Sequence, residues 1–125
     1  MSTDLTDVEG LARSLGEEIA NLPEHERFVE ATRAVEADGT AQERIERFEQ
    51  LRQEYHLARQ TGQATEADVE RLREAQQELH SLPVMEEFLA ARSELQDRLE
   101  TINRTVSEPL AVDFGEEAGG CCQDD

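Results

Sequence analysis

Apolar residues recur at steps of three and four in five stretches of this chain, and this spacing restricts its fold more than any other feature. The fifth stretch is the clearest, since it would place Val84, Phe88, Ala91 and Leu95 on one side of a helix. No stretch alternates apolar and polar residues for long enough to form a sheet. We therefore predict an all-α bundle of about five helices, near residues 4–21, 23–37, 40–61, 65–81 and 83–108.

Two stretches sixty residues apart share one pattern, LPEHERFVEA from Leu22 and LPVMEEFLAA from Leu82. Proline suits the first turn of a helix, because its missing N–H would have no intrahelical partner there. We expect helices to begin at Pro23 and Pro83. The interpretation we favour is that one physical device starts two helices, and the alternative is a gene duplication.

Two further helix starts have the form of a capping box, in which a hydroxyl and a carboxylate each bind a backbone N–H. One is Thr40 with Glu43, and the other is Thr65 with Asp68. These pairs predict that the third helix begins at Thr40 and the fourth at Thr65.

The third and fifth predicted helices are long, and their apolar stripes are narrow. A narrow stripe is typical of helix pairing, as in a coiled coil, more than of a broad core face. Apolar residues make up only 37% of the chain, so a second copy would enlarge a thin core. We expect a homodimer formed through these stripes, with ten core or interface residues: Leu15, Phe28, Ala31, Phe48, Leu51, Tyr55, Phe88, Ala91, Leu95 and Ile102.

The chain is strongly acidic, with a formal charge of −18, and all twelve of its basic residues are Arg. Such a surface repels itself at low salt, whereas at molar salt the screening length falls to about 3 Å. We therefore expect a protein from a halophilic, archaeon-like background. The same charge argues against direct binding of nucleic acid, which needs clustered Lys or Arg.

No stretch approaches the roughly 20 apolar residues of a membrane span. The first residues include Asp4, Asp7 and Glu9 instead of the basic region of a secretory signal. We expect a cytoplasmic protein without membrane contact. The expected organisation is a helical domain over residues 1–109 and a flexible, acidic Gly/Cys tail over residues 110–125.

Cys121 and Cys122 are the only pair of residues in the sequence that suggests specific chemistry. A disulfide between neighbours is strained, because a trans peptide holds their Cα atoms about 3.8 Å apart, below the usual range of about 4.4 to 6.8 Å. Two thiolates could supply half of a zinc or iron-sulfur site, with the other ligands from a second subunit or a partner. The interpretation we favour is that the pair binds no metal, and the shared site is the alternative.

Nothing in the sequence indicates an enzyme. Thirty acidic residues make pairs of neighbouring carboxylates unavoidable, so such pairs carry little information about acid-base catalysis. The chain has no glycine-rich phosphate loop, no nucleophile elbow and no metal-binding His-Glu-x-x-His.

Five features follow one another along the chain: residues 15–19 (LGEEI), Phe28, Phe48, the Gly62 break and residues 83–91 (PVMEEFLAA). With the order of the helices, they resemble the YlbF/YmcA-like family of small helical proteins. The resemblance implies an all-helical protein that self-associates as a dimer and regulates by contact, without catalysis. It also implies membership of multiprotein complexes, some of which carry iron-sulfur clusters held by cysteines.

From these patterns we predict a non-enzymatic regulatory or adaptor protein that acts through protein-protein contacts. The expected partners are a second copy of the chain and an unidentified protein. The alternative is a metal- or cluster-carrying protein that uses Cys121 and Cys122 together with ligands from a partner chain.

Overall fold

The computed structural model describes residues 7–119 of the 125-residue chain. Within that range no residue is in a β-strand, so the expected all-α class is confirmed. The sequence pattern predicts five of the helices but not the short sixth. The helices are α1 (Val8–Ala20), α2 (Pro23–Ala37), α3 (Gly39–Gln60), α4 (Glu66–His80), α5 (Pro83–Ser107) and α6 (Phe114–Gly119).

Three of the predicted helix starts are confirmed. Pro23 and Pro83 are the first residues of α2 and α5. Thr65 caps α4, where its hydroxyl accepts a hydrogen bond from the backbone N–H of Asp68 at 3.2 Å. The carboxylate of Asp68 accepts in turn from the backbone N–H of Thr65 at 2.9 Å, which completes the capping box.

The predicted start of α3 at Thr40 is wrong, because Asp38 caps this helix instead. Asp38 has an extended backbone, and its carboxylate accepts a hydrogen bond from the N–H of Ala41 at 2.8 Å. Asp is at least as favourable as Thr in this position. The cap therefore lies two residues earlier than predicted, and the helix begins at Gly39.

The chain divides into two compact units. The central unit is Glu26–Ala91, and the terminal unit takes in the described residues up to His25 and from Arg92 onward. In the central unit α3 and α4 pack against each other as a hairpin. A buried cluster of this unit consists of Val35, Ala41, Leu79 and Met85, and half-buried residues pack on it: Ile45, Phe48, Leu82, Val84 and Phe88.

The α3–α4 hairpin turns at Gly62, whose φ of +75° lies in the region that favours glycine. The N–H of Gly62 donates to the carbonyl of Arg59 at 3.2 Å, and the N–H of Gln63 donates to that of Ala58 at 2.7 Å. This is the Schellman arrangement, which satisfies the last carbonyls of a helix. The Gly62 break in the sequence therefore becomes a tight turn between two antiparallel helices.

The terminal unit contains α1, the second part of α5, and α6. Leu95 is its buried apolar residue on α5. Arg98, one turn further along, donates to the carboxylate of Glu24 at 3.3 Å. The other carboxylate oxygen of Glu24 is shielded from water, so this ion pair is partly enclosed by the protein.

Candidate interaction surface

The two Leu-Pro stretches contact each other within the central unit, residue by equivalent residue. The guanidinium of Arg27 donates to both carboxylate oxygens of Glu87, through Nε at 2.7 Å and through Nη2 at 3.0 Å. The rings of Phe28 and Phe88 lie with their centroids 5.5 Å apart and their planes tilted by 36°. Each of these contacts joins a residue to its counterpart sixty positions along the chain.

The ten predicted core or interface residues fall into three groups by exposure. Ala31, Ala91 and Leu95 are buried, whereas Leu15 is exposed over 39% of its surface. The remaining six are half-buried: Phe28, Phe48, Leu51, Tyr55, Phe88 and Ile102. Large side chains on the predicted stripes thus keep part of their surface available, and their role in an interface stays a prediction.

One exposed apolar surface lies on α1, and we call it the α1 face. Its members are Val8, Leu11 and Leu15, which follow one another at steps of three and four and so share one side of the helix. Val8 is 75% exposed, Leu11 is 45% exposed and Leu15 is 39% exposed. A row of exposed apolar side chains on one helix is typical of a surface that another helix covers.

A second exposed apolar feature lies on the second half of α3, and we call it the α3 groove. It is a shallow cavity of about 600 Å³ lined by Arg52, Gln53, His56 and Leu57. Leu57 is 61% exposed, although it is one of the larger apolar residues of the helix. The polar residues around it are basic or neutral, and none of the four is a carboxylate.

The α3 groove adjoins the part of the chain that is poorest in negative charge. Residues 55–65 contain no Asp or Glu, and these eleven positions are the longest such stretch in a sequence with thirty acidic residues. Arg59 lies within the stretch, with its guanidinium 6.0 Å from the centre of the Tyr55 ring. The groove therefore combines apolar surface with a local excess of positive charge.

A third feature is a set of polar contacts that hold α6 against the end of α5. The side-chain oxygen of Asn103 accepts from the N–H of Gly115 at 2.8 Å, and the hydroxyl of Ser107 accepts from that of Phe114 at 2.8 Å. The side-chain amide of Asn103 also donates to Asp113 at 3.3 Å. These contacts satisfy N–H groups in the first turn of α6, which would otherwise have no intrahelical acceptor.

Asp113 completes this arrangement as a local cap. Its carboxylate accepts from the N–H of Glu116 at 2.8 Å. This hydrogen bond, followed in importance by the bond from Asn103, lowers the pKa of Asp113 below its ordinary value of 3.8. A signal for α6 was present in the sequence as Asp113 three residues before Glu116, the spacing of a helix start.

The model of one protein family, described as control of competence regulator ComK, YlbF/YmcA, matches residues 8–111. These residues make up most of the 125-residue chain. The chain belongs to the YlbF/YmcA family. A comparison with curated proteins found no match.

The YlbF/YmcA match spans the helices α1 to α5. It begins at the first residue of α1 and ends in the turn between α5 and α6. The α1 face and the α3 groove therefore both lie in the part of the chain that the family shares, whereas α6 lies beyond it. The family is one of regulators, as the description of its model states.

Cys121 and Cys122, the neighbouring cysteines for which a shared metal site was the alternative interpretation, lie outside the described residues. Among residues 7–119, no group of three or more His, Cys, Asp or Glu side chains is placed to hold a metal ion. No helix in this range has the length and apolar character that a membrane crossing requires. The expected halophilic background and cytoplasmic location stay predictions.

Proposed function

We propose that this YlbF/YmcA family member is a non-enzymatic regulator that works by protein-protein contact, with a homodimer as its working unit. The observation that carries the proposal is the exposure of large apolar side chains on ordered helices. Val8, Leu11, Leu15 and Leu57 are all exposed. The free energy falls when another protein covers apolar surface of this kind.

The composition of the core supports self-association. Four of the eight buried apolar residues are alanines, and among the described residues no large side chain is fully enclosed. A second copy that covers the larger apolar residues would therefore stabilise the chain, because it would remove their remaining surface from water. The family membership supports a regulatory role, because the family model is described by control of a competence regulator.

Sedimentation equilibrium over a range of protein concentrations tests the dimer. We expect a reversible monomer-dimer equilibrium both in dilute buffer and in molar potassium chloride, because an interface based on apolar burial persists when charges are screened. A chain that stays monomeric at every concentration in both buffers would contradict the homodimer.

The regulatory role is tested by reconstitution with purified components. Affinity capture from the native host supplies candidate partners, and each candidate is then purified and titrated against the full chain. We expect at least one candidate to bind directly, and to do so without turnover of any substrate. If no purified candidate binds the chain directly, the adaptor role is rejected.

A further inference from the structure

The helix pairs α1–α2 and α4–α5 have their turns at equivalent positions, sixty residues apart. The first pair has its turn between Ala20 and Pro23, and the second has its turn between His80 and Pro83. Each end of the first turn lies sixty positions before the same end of the second. The residues that pair between the two Leu-Pro stretches have the same separation. By this equivalence α1 corresponds to α4, and Leu15 and Ile19 correspond to Ala75 and Leu79.

The two equivalent helices differ in how well their apolar sides are covered. On α4, Ala75 and Leu79 are buried, and α3 packs against that helix. On α1, Leu15 is exposed and Ile19 is only half-buried. Of the equivalent residues Leu15 and Ala75, the larger one, Leu15, is thus the one left in contact with water. At these two positions α1 is less well covered than α4, and a helix packed on α1 as α3 packs on α4 would bury Leu15 and Ile19.

The α3 groove has the chemistry to supply that cover. It offers an exposed Leu57 to the apolar residues of the α1 face. Its surroundings carry Arg52, His56 and Arg59 and no carboxylate over residues 55–65. The helix α1 has the opposite charge, since Glu9, Glu17 and Glu18 outnumber its single Arg13. Apolar surface and charge are therefore complementary between the two features.

We infer that α1 of one copy docks in the α3 groove of a second copy. The contact is reciprocal, because each copy carries both features, and it forms twice in a dimer with two-fold symmetry. In this arrangement Leu15 and Leu57 lie at the interface, with the Arg side chains of α3 beside the acidic residues of α1. The inference rests on the proposed homodimer and identifies the surfaces that form it.

The test compares three single substitutions in the full chain by sedimentation equilibrium. Leu15→Glu and Leu57→Glu place a carboxylate at the centre of each surface. Leu99→Glu is the matched control, because Leu99 is exposed to the same 39% as Leu15 but lies on α5, outside both surfaces. We expect the first two changes to raise the dimer Kd at least tenfold and the control to leave it within twofold. Circular dichroism verifies that all three variants keep their helices.

Mixing the two interface variants provides a second readout. A dimer of Leu15→Glu with Leu57→Glu has one contact in which both surfaces are intact and one in which both are altered. A dimer of either variant by itself has two contacts, each with one altered and one intact surface. We expect the mixture to associate at least threefold more tightly than either variant by itself, which a general loss of stability would not produce.

The outcomes separate this inference from the homodimer itself. If the unaltered chain is monomeric throughout, both the homodimer and the inference are rejected. If the unaltered chain dimerises with the same Kd as Leu15→Glu and Leu57→Glu, the homodimer stands and the docking of α1 on α3 is overturned. Failure of the mixture to exceed the single variants would also overturn the reciprocal contact.

Discussion

Arg27 and Glu87, sixty residues apart in the sequence, form a two-pronged ion pair between the start of α2 and the start of α5. Both side chains keep a third or more of their surface in water. Glu87 occupies the place in the second Leu-Pro stretch that Arg27 occupies in the first. The two equivalent positions therefore carry opposite charges, which lets the repeated stretches face each other without repulsion.

The Arg27–Glu87 pair predicts a change in stability in acid. The hydrogen bond from Arg27, together with its charge, lowers the pKa of Glu87 below its ordinary value of 4.5. A carboxylate whose pKa is lowered in the folded state stabilises the protein at pH values above its ordinary pKa. This stabilisation is lost as the pH falls through the lowered pKa. We expect the unaltered chain to be more stable than Glu87→Gln at neutral pH, with the difference shrinking in acid.

Urea unfolding at a series of pH values measures this difference. The substitution Glu86→Gln, which removes the neighbouring exposed carboxylate, is the control. Parallel stability curves for the unaltered chain and Glu87→Gln across the acid range would contradict the assignment of the effect to this ion pair.

The contact between Phe28 and Phe88 predicts a measurable coupling. Both rings are half-buried, so each Phe→Ala change should cost less than the roughly 3 to 5 kcal/mol of a fully buried Phe, on the order of 2 kcal/mol. Tilted aromatic pairs contribute about 0.5 to 1.5 kcal/mol beyond burial alone. A double-mutant cycle from urea unfolding at one protein concentration should give a coupling of that size. Strict additivity of the two changes would show that the rings do not stabilise each other.

Local signals account for most of what the sequence predicts correctly. Pro23, Pro83 and the Thr65–Asp68 box act on the first turn of the helices they start, so a few neighbouring residues determine each start. Two neighbouring signals compete at α3, where both Asp38 and Thr40 have capping chemistry. The capping-box pattern favours Thr40, whereas in the folded chain Asp38 caps the helix by accepting from the N–H of Ala41.

Nonlocal features account for what the sequence does not predict. The stripe on α1 and the stripe on α4 have similar spacing, yet one is exposed and the other is covered by α3. Which helix covers which depends on the whole fold, and periodicity within one helix does not encode it. The helix α6 likewise depends on Asn103 and Ser107, which lie about ten residues earlier on α5.

The capping box of α4 predicts a loss of stability on removing the Thr65 hydroxyl. Thr65→Ala leaves the N–H of Asp68 without its side-chain acceptor, and we expect a cost of about 1 kcal/mol. Thr65→Ser keeps a hydroxyl and is the matched control, and we expect it to cost at most about 0.3 kcal/mol. Urea unfolding at neutral pH compares the three proteins. Equal stability of Thr65→Ala and the unaltered chain would mean that the cap contributes nothing.

Asn103 is predicted to hold α6 in place. Asn103→Ala removes the acceptor for the N–H of Gly115 and the donor to Asp113, so we expect faster amide exchange across Phe114–Gly119. Gly115→Ala should act in the same direction, because its Cβ would lie 3.0 Å from the side-chain oxygen of Asn103. Hydrogen exchange by mass spectrometry or NMR measures both variants.

The control for this experiment is Gln96→Ala, an exposed change on the same helix as Asn103. It should leave exchange in α6 unchanged. If Asn103→Ala and Gly115→Ala also leave exchange unchanged, α6 does not depend on these contacts.

Cys121 and Cys122 supply the last prediction, which separates a contact regulator from a metal carrier. Two adjacent thiolates provide at most two of the four ligands that zinc or an iron-sulfur cluster normally needs. We therefore expect the full chain, purified without oxygen, to contain neither iron nor zinc in stoichiometric amount. We also expect Cys121→Ser/Cys122→Ser to dimerise with the same Kd as the unaltered chain. Metal analysis, visible absorption and sedimentation equilibrium on both proteins provide the measurement. Visible absorbance in the unaltered chain that disappears in the double variant would instead support a cluster shared between subunits, because the chain has no further cysteine to complete the site.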